Sequence, residues 1–344
     1  MEHFIGIDVS LASAAVCILD PRGGVVKEAK LPSEPEALAA FVLGLPFEVT
    51  AVGLEAGPLS QWLHKALTEA GVPAVLMETR QVKAALKAMP VKTDRRDAAG
   101  IARLLQMGWF RPVHCKSVSA QETRALLTAR RAIQKAAIDV ELSLRGVLRN
   151  FGLKLGKVSK GGYAGRVREL AAGNAMLETM AEAMLRARAA LRAELAGLER
   201  RLRDLAKQDA VCRIMMTMPG VGPQVALTVK SAIDAPERFR SSKDVGPWVG
   251  LTPGRRQSGE MDVVGSITRA GDAGLRSALY QAATVMMHHA RPCWLKAWGL
   301  QIARRRGMKR AVVAMARRIG VILHRMWVDG TDFRFTRPPA ASAA

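Results

Sequence analysis

The sequence predicts an α/β amino-terminal domain, then two long helices, then a mainly α carboxy-terminal region. Three observations predict it. Short apolar runs separated by turn residues fill positions 3–78. Apolar residues recur every seven positions through 119–151 and again through 175–208. Charge is divided unevenly: residues 1–91 carry 7 basic and 10 acidic side chains, whereas residues 92–344 carry 45 and 20.

Residues 3–9 (HFIGIDV) are a short apolar run and read as a buried strand. Residues 14–20 (AAVCILD) and 24–30 (GVVKEAK) follow, linked by the turn residues Pro21, Arg22 and Gly23, so the three strands form an antiparallel meander. A helix is expected over 35–44. Residues 49–54 (VTAVGL) are β-branched and apolar and form a strand that ends at Glu55. Residues 59–70 are an amphipathic helix stopped by Gly71, 73–78 (PAVLME) are a strand, and helical patterning returns at 80–88 and 94–107. A meander followed by alternating α and β is the order of the ribonuclease H-like fold, in which the first and fourth strands are central neighbours.

Beyond this domain (1–111), residues 112–210 carry the two heptad stretches. Ser119 and Glu122 have capping-box spacing at the start of the first. Residues 152–173, with six glycines and Lys154, Lys157, Lys160, Arg166 and Arg168, read as a basic loop between them. The stretches fit an antiparallel helical hairpin, a dimerising coiled coil or two bundle helices equally. Residues 211–300 are mostly helical with Gly/Pro breaks. Residues 301–327 carry eight Lys/Arg and no acid on one helical pattern, and the tail 337–344 is expected to be loose.

A chain of 344 residues with a formal charge of +22 favours a polyanionic partner, nucleic acid before membrane, over a small metabolite. Aromatics at 5% argue against an RNA-recognition sheet. Cys17, Cys115, Cys212 and Cys293 lack metal-ligand spacing and read as thiols in a reducing cytoplasm. The start MEHFIGID has no signal-peptide pattern, and no apolar run reaches membrane-spanning length.

Four carboxylates carry the chemistry. Asp8 interrupts an apolar strand, where a charge is costly unless paired or bound to metal. Glu55 ends the strand expected beside it. Asp94 and Asp97 share one face at the start of a helix by their i, i+3 spacing. Together they make a hard, oxygen-only set suited to Mg²⁺ and phosphoryl transfer. Each alone also suits a strand end or a helix amino terminus. Lys92, Arg95 and Arg96 can reach a phosphate or solvate the helix. Residues 217–226 (TMPGVGPQVA), with Gly220 and Gly222, fit a helix–hairpin–helix that holds a phosphate on backbone N–H groups, or a plain packing unit. In 248–260 (WVGLTPGRRQSGE), Arg255 and Arg256 precede Ser258, which is either a turn serine or a nucleophile aimed at a phosphodiester whose charge the arginines offset. The six histidines are scattered and read as structural.

These motifs carry a resemblance. GIDVS around Asp8, LEAG with Glu55 and KTDRRDA with Asp94 and Asp97 resemble the amino-terminal domain of the DEDD transposases of bacterial insertion sequences, the family that includes the Piv-type invertases. MPGVGP, GLTPGRRQSGE and GSITRAGDAGLRSALYQAA resemble its carboxy-terminal domain. The resemblance covers about residues 1–300. It implies a RuvC-like domain whose Asp8, Glu55, Asp94 and Asp97 bind Mg²⁺, with Mn²⁺ as the alternative ion. It also implies a serine, Ser258, that links covalently to DNA in a site assembled from two protomers of a dimer or tetramer. The implied partners are donor and target DNA and a structured bridge RNA that guides the reaction. The implied location is the bacterial cytoplasm, at the nucleoid, with no membrane association. Basic contacts to nucleic acid are expected at Lys92, Arg95, Arg96, Lys154, Lys157, Lys160, Arg255, Arg256, Arg304, Arg305, Arg306, Lys309 and Arg310, and backbone contacts at Gly220 and Gly222. A water-using RuvC- or ribonuclease H-type nuclease and a non-catalytic nucleic-acid-binding protein are the competing readings. A sugar-kinase or actin-like ATPase also begins with GID, but glycine-rich phosphate loops are missing and the basic body counts against it.

Overall fold

The computed structural model describes residues 2–87 and 91–336. Ala88, the last residue of the helix expected over 80–88, and the tail 337–344 lie outside the described residues. The chain forms two compact units, Met1–Lys116 and Ser117–Ala344.

The first unit holds β1 (His3–Val9), β2 (Ser13–Leu19), β3 (Val25–Pro32), α1 (Pro35–Leu43), β4 (Val49–Glu55), α2 (Ser60–Glu69), β5 (Ala74–Met77), α3 (Thr79–Leu86) and α4 (Asp94–Gln106). The sheet order is β3-β2-β1-β4-β5. β1 pairs antiparallel with β2 and parallel with β4, so the first and fourth strands are neighbours as the element order requires. Side-chain alternation assigns the two faces. Ile5, Ile7, Val16, Ile18, Val52 and Leu54 pack with Leu38, Leu63 and Leu67 of α1 and α2. The opposite face carries α4, through Ala98 and Ala102 against Cys17 and Leu19, and through Ile101 and Leu105 beside Met77. The result is an α/β/α sandwich of ribonuclease H-like topology.

The second unit begins with α5 (Val118–Asn150), α6 (Tyr163–Ala171) and α7 (Ala175–Gln208). Arg130 pairs with Glu199 at 2.5 Å, while Arg188 and Arg192 both reach Glu141, at 2.7 and 2.6 Å. Those partners run in opposite directions, so α5 and α7 lie antiparallel. The expectation of a loop throughout 152–173 is corrected: Tyr163, Val167 and Ala171 make one apolar face that packs on Leu144, Leu148, Ala181 and Leu185, and burial of that face sustains α6. The cap of α5 is also corrected. Ser117, not Ser119, accepts the N–H of Ala120 through its hydroxyl.

The remainder comprises α8 (Ala210–Met216), α9 (Pro223–Ile233), α10 (Val245–Trp248), β6 (Pro253–Ser258), β7 (Met261–Ile267), α11 (Ala273–His289), α12 (Trp294–Arg306) and α13 (Met308–Asp329). One core joins them, with Met215, Ala226, Leu279, Ala283, Met286, Met315, Ile319 and Leu323 fully enclosed. Two expectations differ here. The segment around Ser258 is a β-hairpin rather than a turn in a helical region. The helix expected over 301–327 is two helices, because Gly307 takes a left-handed φ of +80° between them.

Candidate active site

The acid-bearing face is built by two glycines and a helix. Gly6 of β1 pairs with Gly53 of β4 in the sheet register. Both project towards α4, as do Asp8 and Glu55 two residues on. A methyl group on Gly6 would lie 2.1 Å from the Ala98 carbonyl oxygen and 2.4 Å from the Ala102 nitrogen. On Gly53 it would meet the Met77 sulfur at 2.9 Å. The absence of side chains at these two positions therefore lets α4 run close against the sheet. Thr93 caps that helix by accepting the N–H of Arg96, and its first turn carries Asp94 and Asp97. The four acids thus come from two neighbouring strand ends and one helix start on a single face.

Their electrostatics agree with that placement. Burial raises the Asp8 carboxyl above its ordinary range, and the charges of Asp97 and Asp94 raise it further while Lys92 opposes them. Burial likewise raises Glu55; Lys83 lowers it, and Asp8 and Asp97 push it up. The Lys83 ammonium stands 3.9 Å from Glu55. Arg95 is paired with Glu28 of β3, whereas Lys92 and Arg96 are exposed. Among the described residues, no three Asp, Glu, His or Cys side chains stand in metal-holding geometry. The acids do feel one another's charge, Asp94 and Asp97 at Asp8, and Asp8 and Asp97 at Glu55. The donor set is oxygen-only and carries an excess of negative charge, which fits a hard divalent ion such as Mg²⁺.

Ser258 belongs to the second unit. It ends β6 opposite Met261, with Gly259 and Glu260 at the tip. Alternation places Arg256 and Ser258 on one face of the hairpin, and Arg255 and Gln257 on the other. Arg255 is held by Asp262 through two hydrogen bonds of 2.7 and 2.6 Å, so the double arginine divides its duties. Of the two glycines in MPGVGP, Gly220 is explained by packing: a methyl group there would lie 2.5 Å from the Ala282 carbonyl oxygen of α11. Gly222 is the N-cap of α9 and has open space beside it. Lys154, Lys157, Lys160, Arg304, Arg305, Arg306, Lys309 and Arg310 are all exposed. His324 is structural, as expected: its Nδ1 bonds the Ser242 hydroxyl at 2.8 Å and its Nε2 the Pro236 carbonyl oxygen at 3.0 Å.

Comparison with known proteins places both regions in one family. A DEDD transposase model of the IS110 group, described as "Transposase", matches residues 5–152, and the "Transposase IS116/IS110/IS902 family" model matches 212–298. The chain belongs to the DEDD transposases of insertion sequences. The family's relatives include the transposase for insertion sequence element IS1111A of Coxiella burnetii (strain RSA 493 / Nine Mile phase I), 28% identical over 332 residues, 93% of this chain and 88% of that one. The y4pF/y4sB protein of Sinorhizobium fredii (strain NBRC 101917 / NGR234) is 26% identical over 295 residues, 83% of this chain and 74% of that one. The Thermus thermophilus RuvC structure aligns with 32% of this chain and 99% of its own, at 20% identity and a TM-score of 0.24. The fold assignment rests on the strand order instead. As in any member of a transposase family, the chemistry is that of an enzyme acting on DNA. Sequence reasoning missed Lys83 and Glu28 at the acid face. Both reach it from elements remote in sequence, and nothing local marks them.

Proposed function

We propose that this transposase cuts and rejoins DNA at a divalent-metal site formed by Asp8, Glu55, Asp94 and Asp97, with Ser258 as the attacking nucleophile. The observation that supports it most is the convergence of Asp8 and Glu55 from neighbouring parallel strands onto the face covered by the first turn of α4. The four carboxylates would hold the ion, which when bound polarises the scissile phosphate. Ser258 Oγ attacks phosphorus and its proton leaves to solvent. The P–O bond to the departing strand breaks as the Oγ–P bond forms, so the phosphodiester is stored as a serine ester. Attack by a hydroxyl of the incoming strand reverses the exchange. Arg256, on the Ser258 face of the hairpin, offsets phosphate charge, and Lys92 and Arg96 do the same at the acid face. The family resemblance supports donor and target DNA chosen by a bridge RNA, and acids and serine drawn from different protomers.

The test is an SDS-resistant, protease-sensitive protein–DNA adduct, formed on expression with the native flanking DNA. Ser258→Ala is expected to abolish the adduct and strand exchange while binding persists. Asp8→Asn is expected to lower strand cleavage about a hundred- to a thousandfold, the scale of a lost transition-state charge partner. Metal-dependent breaks that survive Ser258→Ala would assign hydrolysis by water instead. Mixing the two variants restores activity only if the site is shared between protomers.

A further inference from the structure

The second unit contains an open groove of about 2080 Å³, lined by the 236–243 segment, the base of the β6–β7 hairpin, α12, α13 and residues 331–334. It exceeds small-molecule pockets, which hold about 300–1,000 Å³. Most of α12 and all of α13 lie beyond residues 212–298, the span that the carboxy-terminal family model matches. Ten Lys and Arg side chains line the groove against three carboxylates, Glu237, Asp329 and Asp332. Among the described residues, Arg306, Lys309, Arg310 and Arg317 stand in no ion pair, so their charge is available to a ligand. The stretch from Arg310 to Arg325 of α13 runs about 22 Å at the helical rise per residue.

Part of the groove's lining is apolar. Ile302, Val313, Val321 and Ile322 line it, as do Trp294 and Trp298. The Arg318 guanidinium lies over both indoles, 4.8 Å from the Trp298 ring centre and 5.5 Å from that of Trp294. The chain has only six tryptophans, and two of them stand here. A duplex presents phosphates and would leave this apolar lining unused. An unpaired strand has both parts, phosphates for the arginines and base faces for the indole–guanidinium stack.

We propose that this groove binds single-stranded DNA, with Arg310 and Arg317 on the backbone and Trp298 as a stacking platform. The proposal rests on the strand-cutting reading for the origin of its ligand, since cutting and exchange free DNA strands in the same complex. Base-tolerant stacking also suits a protein that must accept whatever sequence it has released.

The test uses the full chain in EDTA and the anisotropy of a labelled dT20 oligonucleotide, a 20-base-pair duplex and rU20 between 50 and 200 mM salt. Expected is preferential dT20 binding that weakens about tenfold or more in Arg310→Glu/Arg317→Glu. The salt slope should fall by about 1.4, two phosphate contacts on a single strand. Trp298→Leu should weaken binding about fivefold or more with an unchanged salt slope, and Trp298→Phe should recover much of it. Both arginines are exposed, so the double variant keeps its melting profile. Full dT20 affinity in that variant overturns the proposal. So does preference for the duplex or for rU20 with the same residue dependence. Asp8→Asn separates the two readings. If it binds dT20 in EDTA like the parent, while the parent given Mg²⁺ and the native flanking DNA makes no strand breaks, the groove stands and the strand-cutting reading falls.

Discussion

The acid face and the serine hairpin are built in opposite ways. Asp8 and Glu55 end strands whose other faces are sealed by Ile5, Ile7, Val52 and Leu54, and α4 is pressed onto the sheet by an enclosed apolar surface. Ser258 sits on a two-stranded ribbon nearly all of whose residues are exposed, including Met261, Val263 and Val264. A sheet flanked by helices fixes side chains by packing, whereas an isolated two-stranded ribbon is marginal in water. Packing therefore fixes the backbone that carries Asp8 and Glu55. The serine, by contrast, is carried on an element whose apolar side chains stay exposed.

Gly6→Val is the substitution that would break the comparison most forcefully. The added side chain collides with the backbone of α4 at Ala98 and Ala102, and backbone cannot rotate aside as a side chain can. The expected loss is about 3 kcal/mol or more, at the upper end of overpacking costs, read as a lower unfolding midpoint of the first unit with loss of strand cleavage. If stability is unchanged, α4 is not held against the sheet as described.

Ser258→Ala sharpens the contrast from the other side. The residue is exposed, so its replacement should move stability by no more than about 0.5 kcal/mol. The covalent adduct should nonetheless vanish. A large fall in melting temperature would show that the hairpin is part of the folded core, and the contrast between the two regions would then collapse.

How far the sequence reveals each region follows from the same difference. The strands and the adjacency of Asp8 and Glu55 are readable because short apolar runs bounded by turn residues mark strands buried on both faces, and because a meander followed by alternating α and β makes the first and fourth strands neighbours. The hairpin is not readable. Pro253–Ser258 contains arginines, glutamine and serine without apolar alternation, and its pairing with Met261–Ile267 leaves no burial signal in either strand. α6 is hidden for another reason: Gly161, Gly162 and Gly165 suggest a loop, and only contact with α5 and α7 makes Tyr163–Ala171 helical. The groove is only half legible: Arg306, Lys309 and Arg310 read as nucleic-acid contacts on one basic helix, but Arg240, Lys243, Arg269 and the two tryptophans reach it from other segments and nothing local joins them to it.

The smallest effect is the most diagnostic. Burial and the charges of Asp97 and Asp94 raise the Asp8 carboxyl above its unfolded value of 3.8. A carboxyl whose folded pKa exceeds its unfolded one holds its proton more tightly in the folded state. Its contribution to stability is therefore greatest below the unfolded pKa and is lost as pH rises through the folded pKa. Asp8→Asn removes that penalty. In EDTA at pH 7 the variant should melt above the parent, and the gap should narrow as the pH falls towards 4. Added Mg²⁺ should reverse the order. The parent gains stability by mass action, about 2.7 kcal/mol at a hundredfold excess over Kd, and the variant gains less because the donor set is broken. Ser258→Ala should show neither the pH-dependent gap nor the altered Mg²⁺ response. A parent that ignores Mg²⁺ while Asp8→Asn is stabilised would mean that the acids repel one another without serving as a metal site.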